Sequence, residues 1–380
     1  MTERLKYGMV GGGPGAFIGA VHRAALRLNN EADLVCVAEK DAELAAKMAA
    51  EVGVDPSRAY GSFLDMAAAE GAREDKIDWV TIVTPNVFHY PAAKAFLEQG
   101  INVVCDKPLA ISVEEGRDLK SIADKNGCLF AVTYTYTGHV MAREARQLIK
   151  DGLIGDIRIV MAEYPQDWLL DSLDVITEDN KPWRANPSLS GRGAAVADLG
   201  THIENWVYYV TGLEIDKLAC NMDIFAEGGV LDNNVEVLVK FKGGATGMYW
   251  ACQVAIGFDN AMKIRIFGSK GTIEFVQEEN NYLKVSLRNK PPQYYSRGAG
   301  YLSDAAKKYV RVPTGHPEGL AEAFGNIYRD FAAAIYDKKA GKNVNEDDYG
   351  YPTLQQGIDG VEFFIKCIDS SEAGGVWVDL

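Results

Sequence analysis

Five short motifs hold the residues able to do chemistry. DLGTH at 198–202 places Asp198 and His202 four residues apart, on one face of a helix. A histidine there is a general base poised near neutral pH, and an aspartate one turn back orients it or binds substrate. The pair also reads as a helix-capping aspartate with a core histidine, or as half a metal site. No HxH, HExxH or Cys/His cluster accompanies it, so no metal is expected. CDKP at 105–108 ends an apolar run. Lys107 at a strand end before a proline points into the crevice, where it donates to a substrate hydroxyl and stabilises charge on its oxygen. A surface lysine paired with Asp106 is the plainer reading.

The other three motifs read as a cofactor site. GGGPGA at 11–16 follows the first strand and opens the first helix. Read as G-x-G-x-x-A over Gly11, Gly13 and Ala16, it lets backbone N–H groups, with Pro14, Gly15 and Phe17 around them, approach a pyrophosphate at a helix N-terminus. Ala16 is the small residue expected to allow close helix–strand packing, and Gly12, Gly15 and Gly19 offer other registers. Glu39, just past the second strand, is where a carboxylate accepts from adenosine ribose hydroxyls. It would repel the 2′-phosphate of NADP and so favours NAD, while Lys40 beside it leaves NADP possible. TPN at 84–86 ends the third apolar strand, and Thr84, Pro85 and Asn86 shape the nicotinamide side. For His89, a crevice role and a structural helix-start role stand side by side.

These residues need a scaffold with strand ends in a row. The first third alternates apolar runs (5–10, 33–38, 79–84, 101–105, 128–133) with helical runs (17–28, 42–52, 62–69, 91–99, 113–126). Apolar runs buried on both faces, separated by helices, predict a parallel sheet with helices on each side. After about residue 155, strand-like runs follow one another at 157–163, 217–225, 235–241, 245–251, 262–267, 272–276 and 283–287. That pattern predicts a mostly antiparallel sheet, interrupted by helices at 198–211 and 317–338 and followed by one at 354–370. The chain divides into a first domain, 1–134, and a second, 135–380, with helix 354–370 able to pack back on the first.

Composition narrows the function classes. Apolar residues are 47% and charged residues 24% of 380, which excludes wholesale disorder. The net charge of −14 argues against nucleic acid or an anionic membrane as partner. Six cysteines, none in a CxxC pair, read as buried thiols of a reducing, cytoplasmic setting. No signal peptide or membrane-length apolar run is seen.

Taken in order, the glycine-rich turn, the acidic end of strand two, TPN…H, [ED]KP and D-x-G-x-H resemble the glucose–fructose oxidoreductase/inositol dehydrogenase/rhizopine catabolism family over essentially the whole chain. The resemblance implies an α/β architecture: an N-terminal Rossmann domain, then an α/β domain with an open, mostly antiparallel sheet. It implies Lys107, Asp198 and His202 as a catalytic trio and a Lys–Pro bond that is often cis. It implies a bound NAD(P), a carbohydrate or polyol substrate, and a homodimer or homotetramer assembled through the second sheet. Asp106 stands where glutamate is commoner. Tyr136, Trp168, Arg184 and His316 are further candidates for the substrate pocket. Trp168 and Tyr136 equally suit a core or interface, and Pro317 at the first turn of a predicted helix is reason enough for the sequence at His316. The reading is an NAD(P)-dependent dehydrogenase. An enzyme using bound nicotinamide transiently for glycoside cleavage or epimerisation is the alternative, and a non-catalytic binder or regulator is third.

Overall fold

A computed structural model describes residues 4–170, 182–225 and 228–380. The chain forms two compact units, one of residues up to Gly138 with Ala321–Ile358, the other of His139–Leu320 with Asp359–Leu380.

In the first unit six parallel strands lie in the order β3-β2-β1-β4-β5-β6. They are β1 (Leu5–Val10), β2 (Ala32–Ala38), β3 (Ala59–Tyr60), β4 (Trp79–Ile82), β5 (Asn102–Cys105) and β6 (Phe130–Val132). The order reverses at β1, and the strand ends flanking such a switch point open a ligand crevice. All residues of β4 and β5 are buried, as the unbroken apolar runs predict. Between them run α1 (Phe17–Asn29), α2 (Ala42–Val52), α3 (Phe63–Gly71), α4 (His89–Glu98) and α5 (Val113–Asn126). Asp41, Ser62 and Ser112 cap α2, α3 and α5 by accepting backbone N–H groups. Gly127 ends α5 at φ 63°, a conformation costly for a side-chain-bearing residue.

The second unit is built on nine strands in the order β14-β13-β12-β11-β7-β10-β9-β8-β15. These are β7 (Ile157–Pro165), β8 (Ile215–Asp223), β9 (Asn234–Phe241), β10 (Thr246–Cys252), β11 (Lys263–Gly268), β12 (Gly271–Val276), β13 (Tyr282–Leu287), β14 (Gln293–Ser296) and β15 (Val378–Asp379). The pairing of β7 with β10 is parallel and the others are antiparallel. Along β9, Val235, Val237 and Val239 are buried while Leu238 is half exposed, so one face packs and the other is open. Helix α6 (Val140–Lys150) has no counterpart in the sequence reading. Its buried face carries Arg143, stacked 3.8 Å over Tyr309, and Glu144, which accepts from Ser303 N and Oγ. Charges on the inner face hide the apolar period. The helix predicted from 317 starts instead at Leu320. Glu318 is drawn into the preceding loop, where it accepts from Arg297 and the N–H groups of Arg311 and Val312. Among the described residues no helix is long and apolar enough to cross a membrane, and all six cysteines are buried and free.

Glu204, in the helix Thr201–Thr211, is buried, and its Oε2 has no hydrogen-bond partner. Burial, then the charge of Asp359, pushes its carboxyl from 4.5 up to about 8. The folded protein therefore holds a proton there that the unfolded chain releases above its lower pKa. Stability from the neutral form is complete below pH 4.5 and is lost as pH rises through 8. Glu204→Gln is expected to flatten this decline in denaturant midpoint, with a gain on the order of a few kcal/mol at pH 9 and little change at pH 4.

Candidate active site

Helix α1 starts differently from its neighbours. Its N-cap, Ala16, makes no side-chain hydrogen bond, and no acidic residue stands in its first turn. The leading N–H groups of α1 thus lack the side-chain acceptors that serve α2, α3 and α5. Pro14, Gly15, Ala16 and Phe17 are all exposed, Phe17 by 74%, and a Cβ added at Gly15 would meet nothing within 4 Å. An uncapped helix N-terminus behind an open glycine turn suits a pyrophosphate. Gly11, Gly12 and Gly15 take positive φ, which only glycine does cheaply. The close packing expected of Ala16 is made by Gly19: a Cβ there would lie 2.2 Å from Gly12 O. Ala16 is a step too early and faces outward.

Glu39 reaches this turn. Its Oε1 accepts from Gly13 N at 2.8 Å. Burial raises its carboxyl above the ordinary value, opposed by the N–H groups of Gly13 and Lys40. Lys40 itself is exposed.

At the adjacent strand ends, Thr84 Oγ1 is buried with no partner, a polar atom awaiting one. Asn86 is buried and Pro85 partly so. His89 is buried with Nδ1 2.7 Å from Pro108 O and Nε2 2.9 Å from Thr84 O. Burial holds its pKa below the usual histidine value, opposed by the contacts with Pro108, Asp106 and Thr84. The ring ties the end of β4 to the turn after β5. In that turn the Lys107–Pro108 peptide is cis. The Asp106 carboxylate accepts from Thr133 Oγ1 and from His22 Nε2, the latter at 3.1 Å. Tyr136, in the short helical turn Thr135–Gly138, is buried.

In the second unit Asp198 sits in a π-helical turn, Val196–Gly200, that runs into the helix Thr201–Thr211. Such turns are frequent at functional sites. Asp198 Oδ1 is 3.4 Å from Arg184 Nε, and Oδ2 accepts from Gln253 Nε2 at 3.2 Å. Arg184 lies over the Trp183 ring at 4.4 Å and near Trp168 at 6.0 Å. Trp168, Leu169, Ala185, Ala194, Leu231 and Gln253 line a small recess, and Gln253 Oε1 is buried without a partner. His202 is largely buried, edge-on to Tyr164 at 6.0 Å. Trp168, Arg184 and Asp198 thus come together. His316 is exposed, and its carbonyl receives the Arg297 guanidinium.

Sequence reasoning passed over Gln253, His22 and Tyr328. Gln253 just follows a strand with no motif around it. His22 is a lone histidine in an alanine-rich helix, and Tyr328 lies more than three hundred residues away.

Residues 5–134 match the family described as "Oxidoreductase family, NAD-binding Rossmann fold", and residues 142–274 match "GFO/IDH/MocA C-terminal domain". The chain belongs to the GFO/IDH/MocA oxidoreductase family. Its N-terminal unit is therefore an NAD-binding Rossmann fold. Relatives in this family include an uncharacterized oxidoreductase, YfiI, of Bacillus subtilis, 35% identical over 100% of this chain and 98% of its own. The structure of an inositol dehydrogenase homologue from Azotobacter vinelandii complexed with NAD+ superposes with a TM-score of 0.95 at 34% identity, covering 100% of this chain and 98% of that one. An oxidoreductase from Sinorhizobium meliloti gives 0.89 at 41% identity, with 100% of both chains covered.

Gly19→Ala puts a methyl group against backbone that has no room to yield. The expected cost is about 2–3 kcal/mol in chemical denaturation, with weaker NAD binding by calorimetry.

Proposed function

We propose that this protein is an NAD-dependent dehydrogenase acting on a secondary hydroxyl of a sugar, cyclitol or related polyol. The observation that carries the reading is the whole-chain likeness, at 34% identity and a TM-score of 0.93, to an inositol dehydrogenase homologue complexed with NADH and myo-inositol. A levoglucosan dehydrogenase of Pseudarthrobacter phenanthrenivorans, 27% identical over 75% of this chain and 77% of its own, supports a carbohydrate-like substrate.

In this reading the His202 imidazole takes the proton of the substrate hydroxyl. The Lys107 ammonium donates to the same oxygen and stabilises its developing charge. Asp198, braced by Arg184 and Gln253, orients His202 or the substrate, and Trp168 and Arg184 beside it are candidates for substrate contact. Gly11, Gly13, Pro14, Gly15, Ala16 and Phe17 would hold the pyrophosphate, Glu39 the ribose hydroxyls, and Thr84, Pro85 and Asn86 the nicotinamide side. NAD, when bound, supplies the carbon that receives the hydride. The half-buried carboxylate of Glu39 disfavours a 2′-phosphate, so NAD is preferred to NADP.

Mixing purified protein with NAD and a panel of polyols should raise absorbance at the reduced nicotinamide band. Lys107→Met and His202→Asn should each lower kcat/KM by about 10²–10⁴-fold with the fold intact by circular dichroism. Full activity in His202→Asn would remove it as the base.

We also infer that the open face of the nine-stranded sheet joins subunits. Met248 of β10 lies opposite Leu238 of β9 and Met161 of β7. Met248, Leu238 and Ile159 of β7 are 44%, 50% and 43% exposed, an apolar stripe in mid-sheet. Light scattering should report a dimer or tetramer, and Leu238→Asp combined with Met248→Lys should give a monomer that still binds NAD.

A further inference from the structure

The Asp106 carboxylate lies at the head of a buried polar chain that no step of the proposed reaction uses. His22 of α1 is fully buried and bridges two partners, Asp106 Oδ1 at 3.1 Å from Nε2 and the Tyr328 hydroxyl at 2.6 Å from Nδ1. The Tyr328 oxygen is 3.3 Å from Thr81 Oγ1, and Trp79 Nε1 donates to that same Thr81 oxygen at 3.2 Å. A carboxylate only accepts, so Nε2 of His22 carries its proton. Nδ1 meets the Tyr328 hydroxyl, Tyr328 donates to Thr81 Oγ1, and the Trp79 indole donates to that same oxygen. The chain runs through buried groups, where successive hydrogen bonds strengthen one another. The chain ends on a fully buried indole, so it leads no proton to solvent. It holds a charge in place.

That charge sits one residue before Lys107. The ionisable groups facing it are His22 from α1, His89 from α4, Tyr328 from the helix Leu320–Lys339, and Cys105 and Lys107 along its own segment. Burial opposes its ionisation, and the His22 contact together with Thr133 outweighs burial to keep the carboxyl below its ordinary value. The turn itself is pinned through Asp106 N to Ile82 O at 3.0 Å and Thr133 N to Cys105 O at 3.0 Å.

We propose that His22, oriented by Tyr328, is a positioning residue for Lys107: it holds the Asp106 carboxylate so that the strand-end turn presents the lysine in one place with a fixed negative charge behind it. The inference rests on the reading of Lys107 as a member of the acid–base set. An aspartate is one methylene shorter than a glutamate, and its hold on α1 depends on a donor that comes to meet it; His22 is that donor.

The test is His22→Phe, which keeps an aromatic ring against Phe324, now 4.6 Å from the His22 ring, and removes both nitrogens. Lysines are 13C-methylated and the Lys107 methyl resonance, assigned by its loss in Lys107→Arg, is followed by NMR at one pH. We expect it to shift and broaden in His22→Phe, with NAD affinity unchanged. On the best polyol of the panel, kcat should fall about 10–100-fold with KM within about threefold. His22→Gln, which restores a donor, should recover part of the loss. Tyr328→Phe should perturb the same resonance by less, and it is the variant read if His22→Phe fails to fold. An unmoved Lys107 resonance in these variants overturns the proposal. Lys107→Met separates the two readings: if it stays active while the resonance moves in His22→Phe, the catalytic assignment falls and the positioning of Lys107 stands.

Discussion

Helix α1 can lie on β1 only because Gly19 and Gly12 meet without a side chain on either. A methyl at Gly19 would overlap the Gly12 carbonyl, and one at Gly12 would come within 2.9 Å of the Gly19 Cα. From this contact much of the first unit follows. It sets the direction of α1, and so where its uncapped N-terminus opens. It brings the Gly13 amide to Glu39. One turn further along, it carries His22 to Asp106 and Tyr328. The glycine-rich turn is therefore also the joint that lets one helix serve a phosphate-sized opening at its start and a buried polar chain in its middle.

The second unit solves a different problem. Its sheet offers one face to a core of Trp206, Phe275, Tyr249 and Phe363, with Trp206 stacked on Phe275 at 5.2 Å. Glu204 Oε2, Trp206 Nε1, Tyr249 OH and Gln253 Oε1 are all buried without partners. Two of these lie in the helix that bears His202, and a third side chain holds Asp198. Two unpartnered polar groups, Glu204 Oε2 and Trp206 Nε1, therefore follow Asp198 and His202 along one helical stretch.

The parallel sheet and the change to an antiparallel sheet were legible because each leaves a local trace. β4 and β5 are unbroken apolar runs, and β9 and β10 alternate. The helical stretch carrying Asp198 and His202 was legible by their spacing, though the π-helical turn at its start was not. What escaped was long-range. Helix α6 was hidden because Arg143 and Glu144 face inward to partners at Tyr309 and Ser303. β3, β14 and β15 are too short for a periodic pattern. His22 and Gln253 acquire meaning only from side chains distant in sequence, and nothing in AVHRA or ACQVA announces it.

The one parallel pairing in the second sheet has a consequence for how that sheet is assembled. β7 comes first in sequence yet ends in the middle, between β10 and β11. Apart from β15 at the edge, the rest falls into two meanders of neighbours, β8-β9-β10 and β11-β12-β13-β14, each closed by near-sequence antiparallel contacts. β7 pairs with β10 and β11, whose residues begin only at Thr246, so its contacts are far longer-range than those within either ribbon. The central strand is therefore the seam between two ribbons of local pairing, and the non-local part of the sheet's topology is concentrated in it.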